Sequence, residues 1–246
     1  MPTVLILGAN AGIGRALAAE FALHRYDLVL AGRDLEELQA LSADLSLRHH
    51  VSARPERVDV LNFDALESAL AACISPAGDD LEGAVLCTGY LGDPETSKID
   101  LGEARRILDT NFTGPALALN VLANHFEQRH KGFICALSSV AGDRGRQSNY
   151  HYGSAKGGLS TFLQGLRNRL YHSGVHVITV KPGFVDTRMV FGKPKLPLVA
   201  TPERVARDIY GAVKKRKDVV YVPWFWQWIM LVVGSIPEGI FKKLKM

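Results

Sequence analysis

The feature that most limits what this chain can fold into is its rhythm. Short apolar runs (Val4–Leu7, Leu28–Ala31, Ala84–Leu86, Phe133–Leu137, Val175–Val180 and Val219–Val222) alternate with stretches of helical periodicity. Most of the runs are apolar at nearly every position, the pattern of strands covered on both faces of a parallel sheet. The helical stretches between them are Gly14–His24, Leu35–Arg48, Asp64–Ile74, Leu101–Glu127, Gly153–Ser173 and Pro202–Lys215. This alternation predicts an α/β fold, a doubly wound parallel sheet forming one domain over residues 1–222. Residues 223–246 read as an apolar, basic extension rather than a second domain. Two helix starts are marked by local chemistry. Asp34 is placed to cap the second helix, with Glu37 as its capping-box partner. Thr201-Pro202-Glu203 is a cap followed by proline at the first helical position.

Between the first strand and the first helix stands Gly8-Ala9-Asn10-Ala11-Gly12-Ile13-Gly14, with GxxxGxG spacing. Glycines there allow a tight turn and a close approach of a pyrophosphate to the backbone, and the helix N-terminus supplies free N–H groups. Gly8, Asn10, Gly12, Ile13 and Gly14 are therefore candidate contacts of a dinucleotide. The second strand ends in Ala31-Gly32-Arg33-Asp34. With Asp34 used as a cap, Arg33 is free to pair with a 2′-phosphate, which favours NADP(H) over NAD(H). The plainer alternative is a solvated loop arginine. Asp59-Val60 either meets the adenine amino group or forms a turn before the next helix.

Tyr152-Gly153-Ser154-Ala155-Lys156 puts a tyrosine and a lysine on one helix face. A free tyrosine has a pKa of about 10, and a nearby ammonium lowers it. Such a pair can protonate a ketone oxygen during hydride delivery. Tyr150 lacks a lysine four residues on. Ser138-Ser139 ends the Phe133–Leu137 strand, where active sites of doubly wound sheets lie, and a serine there can hold a substrate carbonyl. Asn111 sits within a long helical stretch despite poor propensity, which marks either a task or a satisfied buried amide. In the segment from Lys181 to Thr187, the backbone and Thr187 are candidates to hold a nicotinamide carboxamide.

Gly8/Gly12/Gly14, Asp59, Asn111, Ser139, Tyr152/Lys156 and Pro182-Gly183…Thr187 occur in an order and spacing that resembles the short-chain dehydrogenase/reductase family over residues 3–222. The resemblance implies a seven-stranded Rossmann sheet and NAD(P)-dependent oxidoreduction. Tyr152 becomes the acid–base, Lys156 lowers its pKa and holds the cofactor ribose, Ser139 polarises the carbonyl, and Asn111 positions a water in a proton relay. Val60, Gly89, Pro182, Gly183, Val185 and Thr187 join the cofactor contacts. Two departures stand out: Leu7 where the family usually has Thr, and Cys87-Thr88-Gly89 in place of Asn-Ala-Gly. The resemblance also implies a homo-oligomer, through the helices near Leu101–Glu127 and Gly153–Ser173. A cofactor-binding sensor or scaffold would not need all four catalytic residues.

Charge and cysteine usage bound the partners. The net charge is +4, but residues 214–246 alone carry seven basic side chains and two acidic ones. The excess lies beside apolar sequence rather than on the main fold, which excludes the usual nucleic-acid binder and points to a membrane surface. All three tryptophans (Trp224, Trp226 and Trp228) fall in the run from Val219 to Val233. Once the last strand is taken out, the rest is too short to span a bilayer and fits an interfacial helix, with Lys242, Lys243 and Lys245 facing anionic lipid. An oligomer interface or a lid over the substrate pocket is the equal alternative. Cys73, Cys87 and Cys135 match no metal or disulfide spacing. With no basic n-region at the start, the expectation is a cytoplasmic protein, at the inner membrane face if the extension docks.

The extension, together with residues 89–93 and 138–144, resembles decaprenylphosphoryl-2-keto-erythro-pentose reductases, a branch of that family. That implies a keto-sugar on a polyprenyl-phosphate carrier as substrate, the alternatives being a 3-oxoacyl thioester, a steroid or another hydrophobic ketone. Arg144 and Arg146 either meet a substrate phosphate or are ordinary loop residues.

Overall fold

The structure is a computed structural model and describes residues 1–188 and 198–244. Seven parallel strands form one sheet in the order β3-β2-β1-β4-β5-β6-β7. They are β1 (Thr3–Leu7), β2 (Asp27–Gly32), β3 (Ala53–Arg57), β4 (Leu81–Leu86), β5 (Phe133–Leu137), β6 (His176–Pro182) and β7 (Val219–Val222). Helices α1 (Gly12–Leu23), α2 (Leu35–His49) and α8 (Pro202–Lys214) cover one face. The other is covered by α3 (Leu66–Ile74), α6 (Gly114–Arg129) and α7 (Tyr150–Leu170). In β1, Val4 and Ile6 enter the first core, while Leu5 and Leu7 enter the second. This two-sided burial is why the strands are apolar throughout. The chain reverses direction across the sheet between β1 and β4, so a crevice opens beyond the carboxyl ends of these strands.

Three differences from the sequence expectations have physical causes. The strand β3, Ala-Arg-Pro-Glu-Arg, has no apolar run because it is a sheet edge, pairing with β2 alone. Pro55 is tolerated there because an edge strand has donors to spare. The helix expected over 101–127 is two, α5 (Leu101–Leu108) and α6, joined by a π-helical turn over Asp109–Thr113. Pro115 has no N–H, so the α-type bond to the Asn111 carbonyl cannot form, and the helix widens there. Lastly, the basic residues of 214–246 do not share a surface. Lys214–Lys217 precede β7, at the amino edge of the sheet, where Arg216 donates to Gly174 O at 3.4 Å. The tryptophans follow β7, at the carboxyl edge. Lys245 lies outside the described residues.

The caps follow the sequence more closely. Asp34 Oδ1 accepts from Glu37 N at 3.0 Å, and Thr201 Oγ1 accepts from Arg204 N at 3.3 Å. The reciprocal half of the capping box is not made, because the Glu37 carboxylate turns toward Asn10 and Arg15. After β7 the chain forms α9 (Trp226–Ser235) and the short α10 (Glu238–Phe241). Among the described residues no helix is long and apolar enough to cross a membrane.

Candidate active site

The glycine loop between β1 and α1 is closed by backbone. Gly8 has φ +92°, and a Cβ on it would lie 3.0 Å from the main chain of Cys87 and Thr88. A Cβ on Gly14 would lie 2.2 Å from Gly8 O, and one on Gly12 would lie 2.5 Å from Thr187 Cγ2. No side chain fits at these positions, which leaves the α1 N-terminus open beneath Thr187. Ala11, at the N-cap, makes no side-chain cap, so the first N–H groups of α1 are free for an anion. This cradle fits a pyrophosphate. Ile13 packs against the adjoining core from within the loop.

Asn10 braces the cradle against the end of β2: its Nδ2 donates to Asp34 O at 2.9 Å, and its Oδ1 fills the space a Cβ on Gly32 would need. Asp34 is spent on its cap, as the sequence suggested. Arg33 is exposed and makes no ion pair among the described residues. Arg15, one residue beyond the glycine motif, lies 3.6 Å from Glu37 on the same side. The sequence reading did not single it out, although a basic residue directly after Gly14 was a visible signal. Asp59 Oδ1 accepts from Leu61 N at 3.0 Å, so one oxygen serves the turn and one remains for a ligand. Val60 is buried, and its carbonyl lies against Gly114. Gly89 is exposed just beyond β4.

The candidate catalytic residues meet at the carboxyl ends of β4 and β5. Ser139 Oγ accepts from Ala141 N at 3.1 Å, which leaves its proton for the hydrogen bond it makes with Tyr152. Burial pushes the Tyr152 phenol above its ordinary pKa, and the Ser139 bond opposes this. Tyr150, by contrast, is 42% exposed. Lys156 is almost wholly buried and donates to Leu137 O at 2.9 Å and Thr88 O at 3.3 Å. Burial lowers its pKa to about 8. Its Nζ lies 6.0 Å from the Tyr152 ring centroid. The expected lowering of the tyrosine by direct lysine contact is thus not seen; Ser139 supplies the pull that opposes burial. Ser138 is structural, bonded to Lys156 O at 2.8 Å and to Ser160 Oγ at 2.7 Å.

Asn111 is fully buried in the π turn. Its Oδ1 accepts from Tyr90 N at 3.1 Å, and its Nδ2 donates to Tyr90 O at 2.6 Å and Ile107 O at 2.7 Å. The side chain therefore clamps the loop after β4 and has no donor left for a water. What Asn111 can offer a relay is its main-chain carbonyl, to which Pro115 has no N–H to donate. The clamp on Tyr90 was not foreseen, since nothing in sequence spacing links positions 90 and 111.

The far wall is built by the loop after β5, the end of β6 and the extension. Pro182 is buried and ends β6, and Val185 bridges to Ala200. Trp226 packs on Gly183, where a Cβ would lie 1.9 Å from its Nε1. That indole N–H is buried with no partner among the described residues. Asp143 accepts from Lys181 Nζ at 2.5 Å and from Tyr221 OH at 2.8 Å, tying the loop to β6 and β7. The two loop arginines part company. Arg144 donates to Gly234 O, to Ile236 O at 3.1 Å and to Glu238 at 2.7 Å, and its guanidinium stacks 4.2 Å above the Phe241 ring. It is an anchor of the extension and is not available to a phosphate. Among the described residues the Arg146 side chain makes one long bond, to Val140 O at 3.4 Å, and its Nε has no partner; burial lowers its pKa, against the attraction of Asp143.

Comparison with known proteins agrees with this geometry. A model of the short chain dehydrogenase family matches residues 2–195. An uncharacterized oxidoreductase of Mycobacterium tuberculosis is 32% identical over 241 residues, covering 98% of this chain and 96% of that one. A serine 3-dehydrogenase of Agrobacterium fabrum is 34% identical, covering 75% of this chain and 72% of its own length. Among solved structures, a short-chain dehydrogenase from Sphingobium yanoikuyae in complex with NADPH superposes with a TM-score of 0.83 at 25% identity, covering 97% of this chain and 98% of that one. A 3-oxoacyl-[acyl-carrier protein] reductase from Brucella melitensis gives 0.77 at 25% identity, covering 89% of each chain. The chain therefore belongs to the short-chain dehydrogenase family and is an NAD(P)-dependent oxidoreductase.

Proposed function

We propose that this protein reduces the keto group of a polyprenyl-phosphate-linked sugar with NADPH. The single observation that carries the substrate reading is Arg146. A half-buried guanidinium in the loop between Ser139 and Tyr152 makes no ion pair among the described residues; Asp143 attracts it but is itself bonded to Lys181 and Tyr221, which leaves a place for an anion, and a sugar-bound phosphate supplies one. The apolar extension beside it suits a hydrophobic carrier. The free Arg33 at the end of β2, with Arg15 nearby, favours a cofactor bearing a 2′-phosphate.

The bound cofactor supplies a hydride for the carbonyl carbon. Gly8, Gly12 and Gly14 with the α1 N-terminus would hold its pyrophosphate. Lys156, with one N–H left after Leu137 O and Thr88 O, would hold its ribose. Thr187 and the Pro182-Gly183 backbone would hold the carboxamide. The Tyr152 phenol, kept protonated at neutral pH by burial, gives its proton to the carbonyl oxygen. Ser139 turns its hydroxyl from Tyr152 to that oxygen and fixes its place. The Lys156 ammonium favours the phenolate left behind.

The test is NADPH consumption with a polyprenyl-phosphate keto-pentose against a neutral hydrophobic ketone of similar size. The expected result is turnover of the anionic substrate and a rise of about tenfold or more in its KM in Arg146→Ala. Equal turnover of neutral ketones, with no effect of Arg146→Ala, would reject the keto-sugar reading. The Brucella neighbour's name makes a 3-oxoacyl thioester the first alternative to try. We further propose a homo-oligomer formed through α5–α7 and the short α4 (Thr96–Ile99) that precedes them, where Ile99 and Leu101 stand in solvent.

A further inference from the structure

The helix α9 is apolar on both sides. Its inward residues, Trp226 and Met230, are buried with Val140, and Ile229 and Val233 pack against them. Most of its outward side chains are also apolar: Trp228 is 58% exposed, Leu231 60% and Val232 67%, with Trp224 at 66% just before the helix, while Gln227 and Ser235 are the exposed polar ones. A helix with one buried face normally turns a polar face to water, and tryptophan is among the more buried side chains on average. Ile240 and Leu244 are exposed in the turns that follow.

The charge of this segment is one-sided. Lys242 and Lys243 are exposed, while Glu238, the one acidic residue among described residues 223–244, is bonded to Arg144 at 2.7 Å. The ten residues of α9 extend about 15 Å, half of the ~30 Å hydrocarbon core of a bilayer. The helix can lie in a membrane interface but cannot cross it. It also begins beside Gly183 and Val140, at the mouth of the catalytic crevice.

We infer that Trp224–Leu244 docks flat on an anionic lipid bilayer. Trp224, Trp228, Leu231 and Val232 enter the headgroup–acyl boundary, and Lys242 and Lys243 meet lipid phosphates. The uncompensated lysines favour lipid over a second copy of this chain, because anionic headgroups neutralise them directly. The exposed Ile99 and Leu101 offer a second copy a different surface. Docking goes beyond the catalytic reading and requires no turnover.

The experiment is co-sedimentation and tryptophan emission of the full chain with phosphatidylcholine vesicles, with and without phosphatidylglycerol. The expected result is binding to the phosphatidylglycerol vesicles, a blue shift in emission, and weakening by salt. Trp228→Ser with Leu231→Ser should weaken binding about tenfold or more. Lys242→Glu with Lys243→Glu should weaken it about tenfold on the anionic vesicles alone. NADPH titration should be unchanged in both variants, which shows that they fold. Absence of vesicle binding, or binding untouched by Trp228→Ser/Leu231→Ser, overturns the proposal. So does a wild-type dimer that Leu231→Ser splits into monomers, which gives the face to a second copy. Inactivity toward the keto-sugar with vesicle binding intact counts against the substrate reading alone.

Discussion

Two regions of this molecule are inverted, in opposite senses. The catalytic floor hides polar groups: Asn111, Ser139, Tyr152 and Lys156 are each at least nine-tenths buried, and one of them is a cation. The extension does the reverse and displays Trp224, Trp228, Leu231 and Val232 to water. Each arrangement costs stability where it stands, the first through desolvation and the second through unburied apolar surface. The floor recovers part of its cost internally, through the hydrogen bonds of Asn111 and Lys156. The outer face of α9 has no such partner among the described residues, which is what the proposed docking answers. A site that is costly and internally satisfied is built for chemistry, and a surface that is costly and unsatisfied is built for contact.

The strongest way to break this contrast is to remove the phenol. Tyr152→Phe should lower turnover about a thousandfold, within the usual range for a lost general acid, while NADPH titration stays near wild type. Full activity would mean that the buried hydroxyl is structural only. The pH profile asks the same question of the lysine. Lys156 is held at about 8, so its proton is present below that pH and lost above it. The Tyr152 phenol is raised above its ordinary value and keeps its proton across the same range. Turnover should therefore fall about tenfold per unit above pH 8. Arg33→Ala should reduce the preference for NADPH over NADH about tenfold, read as a ratio of dissociation constants.

Smaller effects separate stability from function. The folded pKa of Lys156 is depressed below its ordinary 10.5, so protonating it opposes folding. That cost is complete below about pH 8 and vanishes above 10.5. Lys156→Met removes about 3 kcal/mol of it at pH 7 and leaves two carbonyls without a donor, at about 2 kcal/mol. The two effects oppose each other below about pH 8, and only the lost donors count above 10.5, so the variant should be inactive and lose stability relative to wild type as pH rises; denaturant titration measures that trend. Arg144→Ala should release the extension at a cost of about 1 kcal/mol, seen as faster amide exchange over 234–241 with the exchange of β1–β6 unchanged.

Much of the fold was legible because a parallel sheet buries both faces of its strands. The six apolar runs needed only a count of hydrophobic residues. The edge strand β3 escaped that count, because it carries Arg54 and Glu56, an ion pair 2.9 Å apart, in place of an apolar run. The break at Asn111 was in principle readable, since Pro115 stands inside the expected helix. That Ser139, Tyr152 and Lys156 come together was legible through their spacing, and Asp34 through its capping chemistry. The fates of Arg144 and Arg146 were not. Two residues apart in the same loop, one finds partners in the last helices and the other only a long bond to Val140 O among the described residues, and only tertiary structure decides which.

The anchor at Arg144 also has a consequence in time. Its partners Gly234, Ile236 and Glu238 lie 90, 92 and 94 residues further along the chain. A growing polypeptide that has reached Val222 already contains every strand of the sheet and every residue of the catalytic floor. The loop between Ser139 and Tyr152 still waits for an anchor that leaves the ribosome later. That wall is thus finished after the floor it borders.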